Sequence, residues 1–106
     1  MHMTGRQRQV INVPLTNFEI ESIRGIDRSA RCFSSRHQQL LTLLSDPAAN
    51  REGITLKTMW DKARANIGHA TQINTILKMH GSTIAIRAIK RPTRGQKGLY
   101  ALRNVR

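Results

Sequence analysis

The sequence predicts an α+β fold of three helices followed by a two-stranded β-hairpin, with a strand or hairpin at the N-terminal end, and three observations carry that expectation. Apolar residues recur at helical spacing between Leu40 and Leu77. The β-branched, apolar run from Ile84 to Lys90 has a natural partner in LYALRNV, Leu99 to Val105. Between those two runs lies RPTRGQKG, residues 91–98, whose proline and two glycines mark a flexible hairpin tip too long for a two-residue turn. The 106 residues are the size of one domain, divided here into a flexible basic arm at 1–9 and a single folded domain at 10–106.

At the N-terminal end, Ile11, Val13 and Leu15 alternate, then Phe18 and Ile20, with Pro14 confining the run to a sheet edge. Thr16 with Glu19 equally makes a capping box for a short helix, and both readings stay open. Ser35 with Gln38 caps the first firm helix, whose Leu40, Leu41, Leu43 and Leu44 form an apolar stripe ending before Pro47. His37 falls on that face as a packed histidine, with no second ligand at metal spacing. Ser45 to Gly53 is expected to be a polar loop, and Gly53-Ile54 a short strand. Thr55 caps a second helix carrying Leu56, Met59, Trp60, Ala63 and Ile67, with Trp60 as a core anchor. Gly68 breaks that run. A third helix from about His69 to His80 turns Ile73, Ile76 and Leu77 inward and meets Gly81 at its C-terminus.

Charge is the strongest compositional signal: 18 Lys and Arg stand against 6 Asp and Glu, a formal net charge of +12. The last carboxylate is Asp61, and from Lys62 to Arg106 there are ten basic side chains and no acidic one. That half cannot neutralise itself, so a polyanion partner follows, and nucleic acid fits better than a membrane because no Trp, Phe and Leu face accompanies the charge. Cys32 is the only cysteine, which excludes an internal disulfide and a cysteine-based zinc finger and makes a reducing compartment the default. No run approaches the roughly 18 apolar residues of a membrane span, and no secretory leader is visible, so a cytoplasmic protein is expected. Neither a metal nor a cofactor is called for. Acid–base catalysis needs positioned carboxylates or an oriented histidine, which the basic half lacks, and the pair Cys32 and His37 is accidental, so an enzyme is not expected.

Three short helices, then a hairpin with a basic tip, resemble a winged helix-turn-helix domain over Phe33 to Arg103. Ala63, Ile73 and Ile76 fall at helix-turn-helix core spacings, with Gly68 one residue late and the turn one residue longer. The stretch TQINTILKMHGSTIAIRAIK, 71–90, followed by KGLYAL, 97–102, is similar to the recognition helix, wing and closing strand of the OmpR/PhoB effector domain, departing from it at Gly98-Leu99-Tyr100. The resemblance implies that the third helix lies in the major groove of duplex DNA and the hairpin touches flanking backbone or minor groove.

On that helix, Thr71, Gln72, Asn74, Thr75 and Lys78 face away from the apolar side and suit base edges. His69 at the helix start suits a phosphate. In the hairpin, Lys90, Arg91, Arg94 and Lys97 suit backbone or minor groove, with Arg94 as the minor-groove probe. Arg24, Arg28, Arg31 and Arg36 read equally as backbone contacts or solvated charges. Double-stranded DNA is thus the expected partner of a small transcriptional regulator, with a homodimer pairing through residues 10–26 across a two-fold. The alternative is an RNA-binding or ribosome-associated basic module, against which stands the small number of aromatics (Phe18, Phe33, Trp60 and Tyr100). An adaptor that uses the same fold for protein contacts is distinguished by its weak response to salt.

Overall fold

The computed structural model describes residues 12–105; the arm expected at 1–9 and the start of the N-terminal apolar run lie outside them. Among the described residues the chain forms α1 (Asn17–Ala30), α2 (Ser35–Ser45), α3 (Pro47–Glu52), α4 (Leu56–Ala63), α5 (Ile67–Met79), β1 (Ile84–Lys90) and β2 (Leu99–Asn104).

The N-terminal strand is replaced by α1, and the reason is its cap. Thr16 Oγ1 accepts from the Glu19 amide at 3.2 Å while the Thr16 amide donates to Glu19 Oε1 at 2.9 Å, satisfying two end groups reciprocally. Ile20 and Ile23 are buried and Ile26 half-buried, the i, i+3 spacing of a helix face; Phe18 lies off it, 82% exposed. The alternation of Phe18 and Ile20 was therefore a coincidence of one inward and one outward residue. Ahead of the cap, the extended Leu15 exchanges two bonds with the Asn50 side chain, its amide donating to Oδ1 at 3.0 Å and its carbonyl accepting from Nδ2 at 2.9 Å. Of the segment expected to pair across a two-fold, Asn17 to Ile26 is helical.

The cap of α2 is Ser34, one residue earlier than expected. Its hydroxyl accepts from the His37 amide at 3.3 Å, and His37 Nδ1 accepts from the Ser34 amide at 3.2 Å, the imidazole taking the part usually played by Glu. The loop expected at 45–53 contains α3, because Asp46 caps it through bonds from the Ala48 and Ala49 amides and Pro47 occupies the first helical position. On α4, Met59 and Ala63 face the core, whereas Trp60 is 49% exposed and carries the Arg64 guanidinium 5.5 Å from its ring centroid. The expected core anchor is therefore a surface residue. Helix α5 begins before Gly68, because Asn66 accepts from the Gly68 and His69 amides and His69 Nδ1 accepts from the Asn66 amide. Gly68 lies within its first turn, and the break falls at 64–66. At the other end, Gly81 at φ 79 completes a paired closure in which the Ser82 amide donates to Leu77 O and the Gly81 amide to Lys78 O.

The hairpin pairs antiparallel from Ile84 opposite Asn104 to Ala88 opposite Tyr100, and an irregularity follows before Lys90 meets Leu99. On the other edge of β2, Ile54 and Tyr100 exchange two 2.8 Å backbone bonds, so the short strand expected at Gly53-Ile54 is a single bridge and the spatial order is Ile54, β2, β1. Thr93 pairs with Gln96, leaving Arg94-Gly95 as a two-residue turn at the tip with Gly95 at φ 82, contrary to the expectation of a longer one. One apolar cluster draws on every element, with Leu40, Leu44, Met59, Ile73, Leu77 and Leu102 fully enclosed and Ile76 packed at its margin.

Gly53 is required where α3 hands over to the Ile54 bridge. Its φ is 79, and a Cβ there would lie 2.9 Å from Ile89 Cδ1 and 3.1 Å from Tyr100 O. Gly53→Ala is expected to cost about 1–3 kcal/mol from the backbone region alone, plus the clash. Gly81→Ala, at the same φ with nothing within 4 Å, should cost less in parallel urea melts.

Candidate nucleic-acid interface

Helix α5 turns Ala70, Ile73 and Leu77 into the core, which directs Thr71, Thr75 and Lys78 outward, all exposed. Thr71 and Thr75 donate their hydroxyls to the carbonyls of Ile67 (3.0 Å) and Thr71 (3.1 Å), so what they offer outward is a methyl group and the oxygen's remaining acceptor capacity. Gln72 and Asn74 lie on opposite flanks of this face, about 160° apart around the helix axis.

Each flank is built differently. Gln72 is exposed, and its Oε1 pairs with His37 Nε2 at 2.8 Å. Because His37 Nδ1 accepts the Ser34 amide, Nε2 is the donor in the neutral ring, and the Gln72 amino group keeps its donors. Asn74 is half-buried, and both ends of its amide bind one residue of β1: Nδ2 donates to Ile86 O at 3.0 Å, and Oδ1 accepts from Ile86 N at 2.7 Å. This corrects the placement of Asn74 among the base-facing residues: it copies a strand edge and fixes the hairpin to α5. His69 is half-buried with its ring centroid 6.1 Å from that of His37, and its Nδ1 serves the cap, so it closes the helix start as well as lying near it.

Lys90, Arg91, Arg94 and Lys97 are all exposed along the hairpin tip, with Arg94 at the turn itself. The tip is held close to the strands where Gly98 meets Pro92: a Cβ on Gly98 would be 2.9 Å from Pro92 Cδ and 3.2 Å from Lys90 O. None of the four cations is in an ion pair among the described residues, where Arg24 pairs with Glu21 (3.1 Å) and Lys57 with Asp61 (2.7 Å). The Lys57 hydrogen bond holds the Asp61 carboxyl below its ordinary range.

One basic residue of the C-terminal half is not on the surface. Arg103 is fully buried on β2, and its guanidinium donates to Asn50 O, Leu102 O, Asn12 Oδ1 and Arg51 O. Burial lowers its pKa from the ordinary arginine value. In the sequence it is one charge among ten, and the alternation of β2 does not mark it, since Leu102 and not Arg103 belongs to the apolar cluster. Among the described residues no group of three His, Cys, Asp or Glu side chains could hold a metal ion, and no helix is long and apolar enough to cross a membrane. Comparisons with protein-family models, curated proteins and solved structures found no match for this chain.

Proposed function

We propose that the chain is a winged helix-turn-helix that binds double-stranded DNA sequence-specifically, as a small cytoplasmic transcriptional regulator. In this reading α4 and α5 form the helix-turn-helix, α5 enters the major groove, and the β1–β2 hairpin reaches the flanking backbone or minor groove. One observation carries it: the exposed Thr71, Thr75 and Lys78 face lies on the same helix that Asn74 bolts to a hairpin tipped with four unpaired cations. A groove about 12 Å wide admits one helix, and a neighbouring cationic tip offsets phosphate charge beside it. The order Ile54, β2, β1, with Ile54 contributed from just before α4, agrees with that topology.

In this reading Thr75 and Thr71 touch thymine methyls or accept from base amino groups, Gln72 donates, and Lys78 reaches guanine or phosphate. The test is a salt titration on a duplex selected from a random pool and on a scrambled one. Thr75→Ala and Gln72→Ala should each lose about 1–3 kcal/mol on the selected duplex and almost nothing on the scrambled one. Arg94→Ala and Lys97→Ala should weaken both and flatten the log-affinity against log-salt slope by about one unit per lost phosphate. Wing variants that keep the wild-type slope would contradict the assignment.

One observation favours the RNA-binding alternative: Trp60 is half exposed on α4 with the Arg64 guanidinium over its ring, an aromatic and a cation placed together where a base could stack. Under that alternative Trp60→Ala abolishes binding; under duplex recognition by α5 it changes affinity little.

A further inference from the structure

A chain of hydrogen bonds leads from the backbone at the start of α2 to the exposed flank of α5, running from the Ser34 amide through His37 to Gln72. His37 is buried and Gln72 exposed. The imidazole is walled by Phe33 and His69, each ring edge-on to it with centroids 6.1 Å apart.

The direction of this chain is fixed at its buried end. A backbone amide can only donate, so His37 Nδ1, 3.2 Å from Ser34 N, must accept. In the neutral ring the proton then sits on Nε2, and an oxygen must receive it: Gln72 Oε1, at 2.8 Å. Distance alone would allow the Gln72 amide either way round, and the Ser34 amide decides between them. Gln72 therefore turns its oxygen to α2 and keeps its amino group, with two N–H donors, for a ligand.

We propose that His37 is a positioning residue for base readout, setting Gln72 to read guanine in preference to adenine. The inference rests on the reading of α5 as the duplex-binding helix. Guanine presents two acceptors in the major groove, N7 and O6, and both suit an amino group. The pair that glutamine makes with adenine needs Oε1 to accept from N6 while Nε2 donates to N7. Turning Oε1 to that task gives up its bond to His37 and strands an N–H on a buried ring, a penalty worth about tenfold in affinity. Cytosine, whose edge offers an amino donor, is disfavoured for the same reason.

The test is selection from a random duplex pool at about pH 8, with the full chain as wild type and as Gln72→Ala, His37→Gln and His37→Glu. Gln72→Ala locates the position, which should carry guanine in the wild-type motif and relax in the variant. His37→Gln can still accept from Ser34 and donate to Gln72, so guanine should stay preferred. His37→Glu also completes a capping box, but an ionised carboxylate only accepts. Gln72 must then turn its amino group inward, and the preference should move by about tenfold towards adenine or cytosine. A histidine that merely held the fold would lower the melting midpoint and leave the motif unchanged. Unchanged guanine preference in His37→Glu, adenine or cytosine at that position in the wild type, or no position relaxed by Gln72→Ala would overturn the inference; if Thr75→Ala still relaxes the motif, the reading of α5 stands. Independently of DNA, ring-nitrogen NMR of the unbound protein should find the His37 proton on Nε2, and a proton on Nδ1 instead would also overturn the inference. Recovery of no motif by the wild type would overturn the underlying reading together with it.

Discussion

Arg103→Ala is expected to destabilise the domain by about 2–5 kcal/mol, because a fully buried side chain is lost and several buried acceptors lose their donor. Its guanidinium is fully enclosed, and Nη1 and Nη2 donate only to carbonyl and amide oxygens, Asn50 O at 2.6 Å, Leu102 O at 2.8 Å, Asn12 Oδ1 at 3.0 Å and Arg51 O at 3.3 Å, while Nε has no partner. Removing it leaves those acceptors without a donor, each at about 1–3 kcal/mol unless water enters. It also unties three parts of the chain at once, since β2, the end of α3 and the segment before α1 meet on this one side chain. Arg103→Lys keeps the charge but replaces a planar fork by a single ammonium, which cannot serve Asn50 and Asn12 together, so an intermediate loss is expected. Urea unfolding measures both. A change within about 0.5 kcal/mol for Arg103→Ala would show that the acceptors find other partners.

Truncating the core where α2 and α5 meet should have a comparable effect. Leu44 and Ile73 are fully buried, and Leu44→Ala or Ile73→Ala is expected to cost about 2–5 kcal/mol, a large share of the roughly 5–15 kcal/mol that holds a domain folded. Trp60→Ala should cost much less despite the larger side chain, because half of Trp60 is already in water and its contact with Arg64 is worth about 0.5–1 kcal/mol at an exposed site. Thermal or urea melts in which Trp60→Ala exceeded Leu44→Ala would contradict the helix phases described above.

Those phases mark how far the sequence could be read. Leu40, Leu44, Ile73 and Leu77 were legible because a 3.6-residue period leaves little choice of face, and the hairpin because β-branched runs flank a glycine-rich tip. Trp60 was misplaced because it sits one position from Met59, and on so short a helix the stripe is wide enough to include either. The end of α4 and start of α5 were misplaced because Gly68 outweighed Asn66 as a signal, although Asn66 satisfies two orphan amides and glycine merely weakens a helix. Residues 12–26 read as a strand because Ile20 and Phe18 alternate by chance; the Thr16–Glu19 capping box held the better information. At the candidate interface, the exposure of Thr71, Thr75, Lys78 and the hairpin cations follows from the same periodicity. The engagement of Asn74 with Ile86 does not, since it depends on where β1 passes the flank of α5, a tertiary fact with no local signature.

The central claim, that α5 and the basic hairpin serve duplex DNA, is tested most directly by competition at physiological salt. The protein is bound to its selected duplex and challenged with unlabelled duplex, single-stranded DNA, single-stranded RNA and hairpin RNA of equal length. Duplex DNA should displace the bound probe at the lowest concentration, because the outward face of α5 reads grooves and few aromatic side chains are free to stack bases. Equal or stronger displacement by single-stranded or hairpin RNA would contradict the account and turn attention to Trp60 and Arg64.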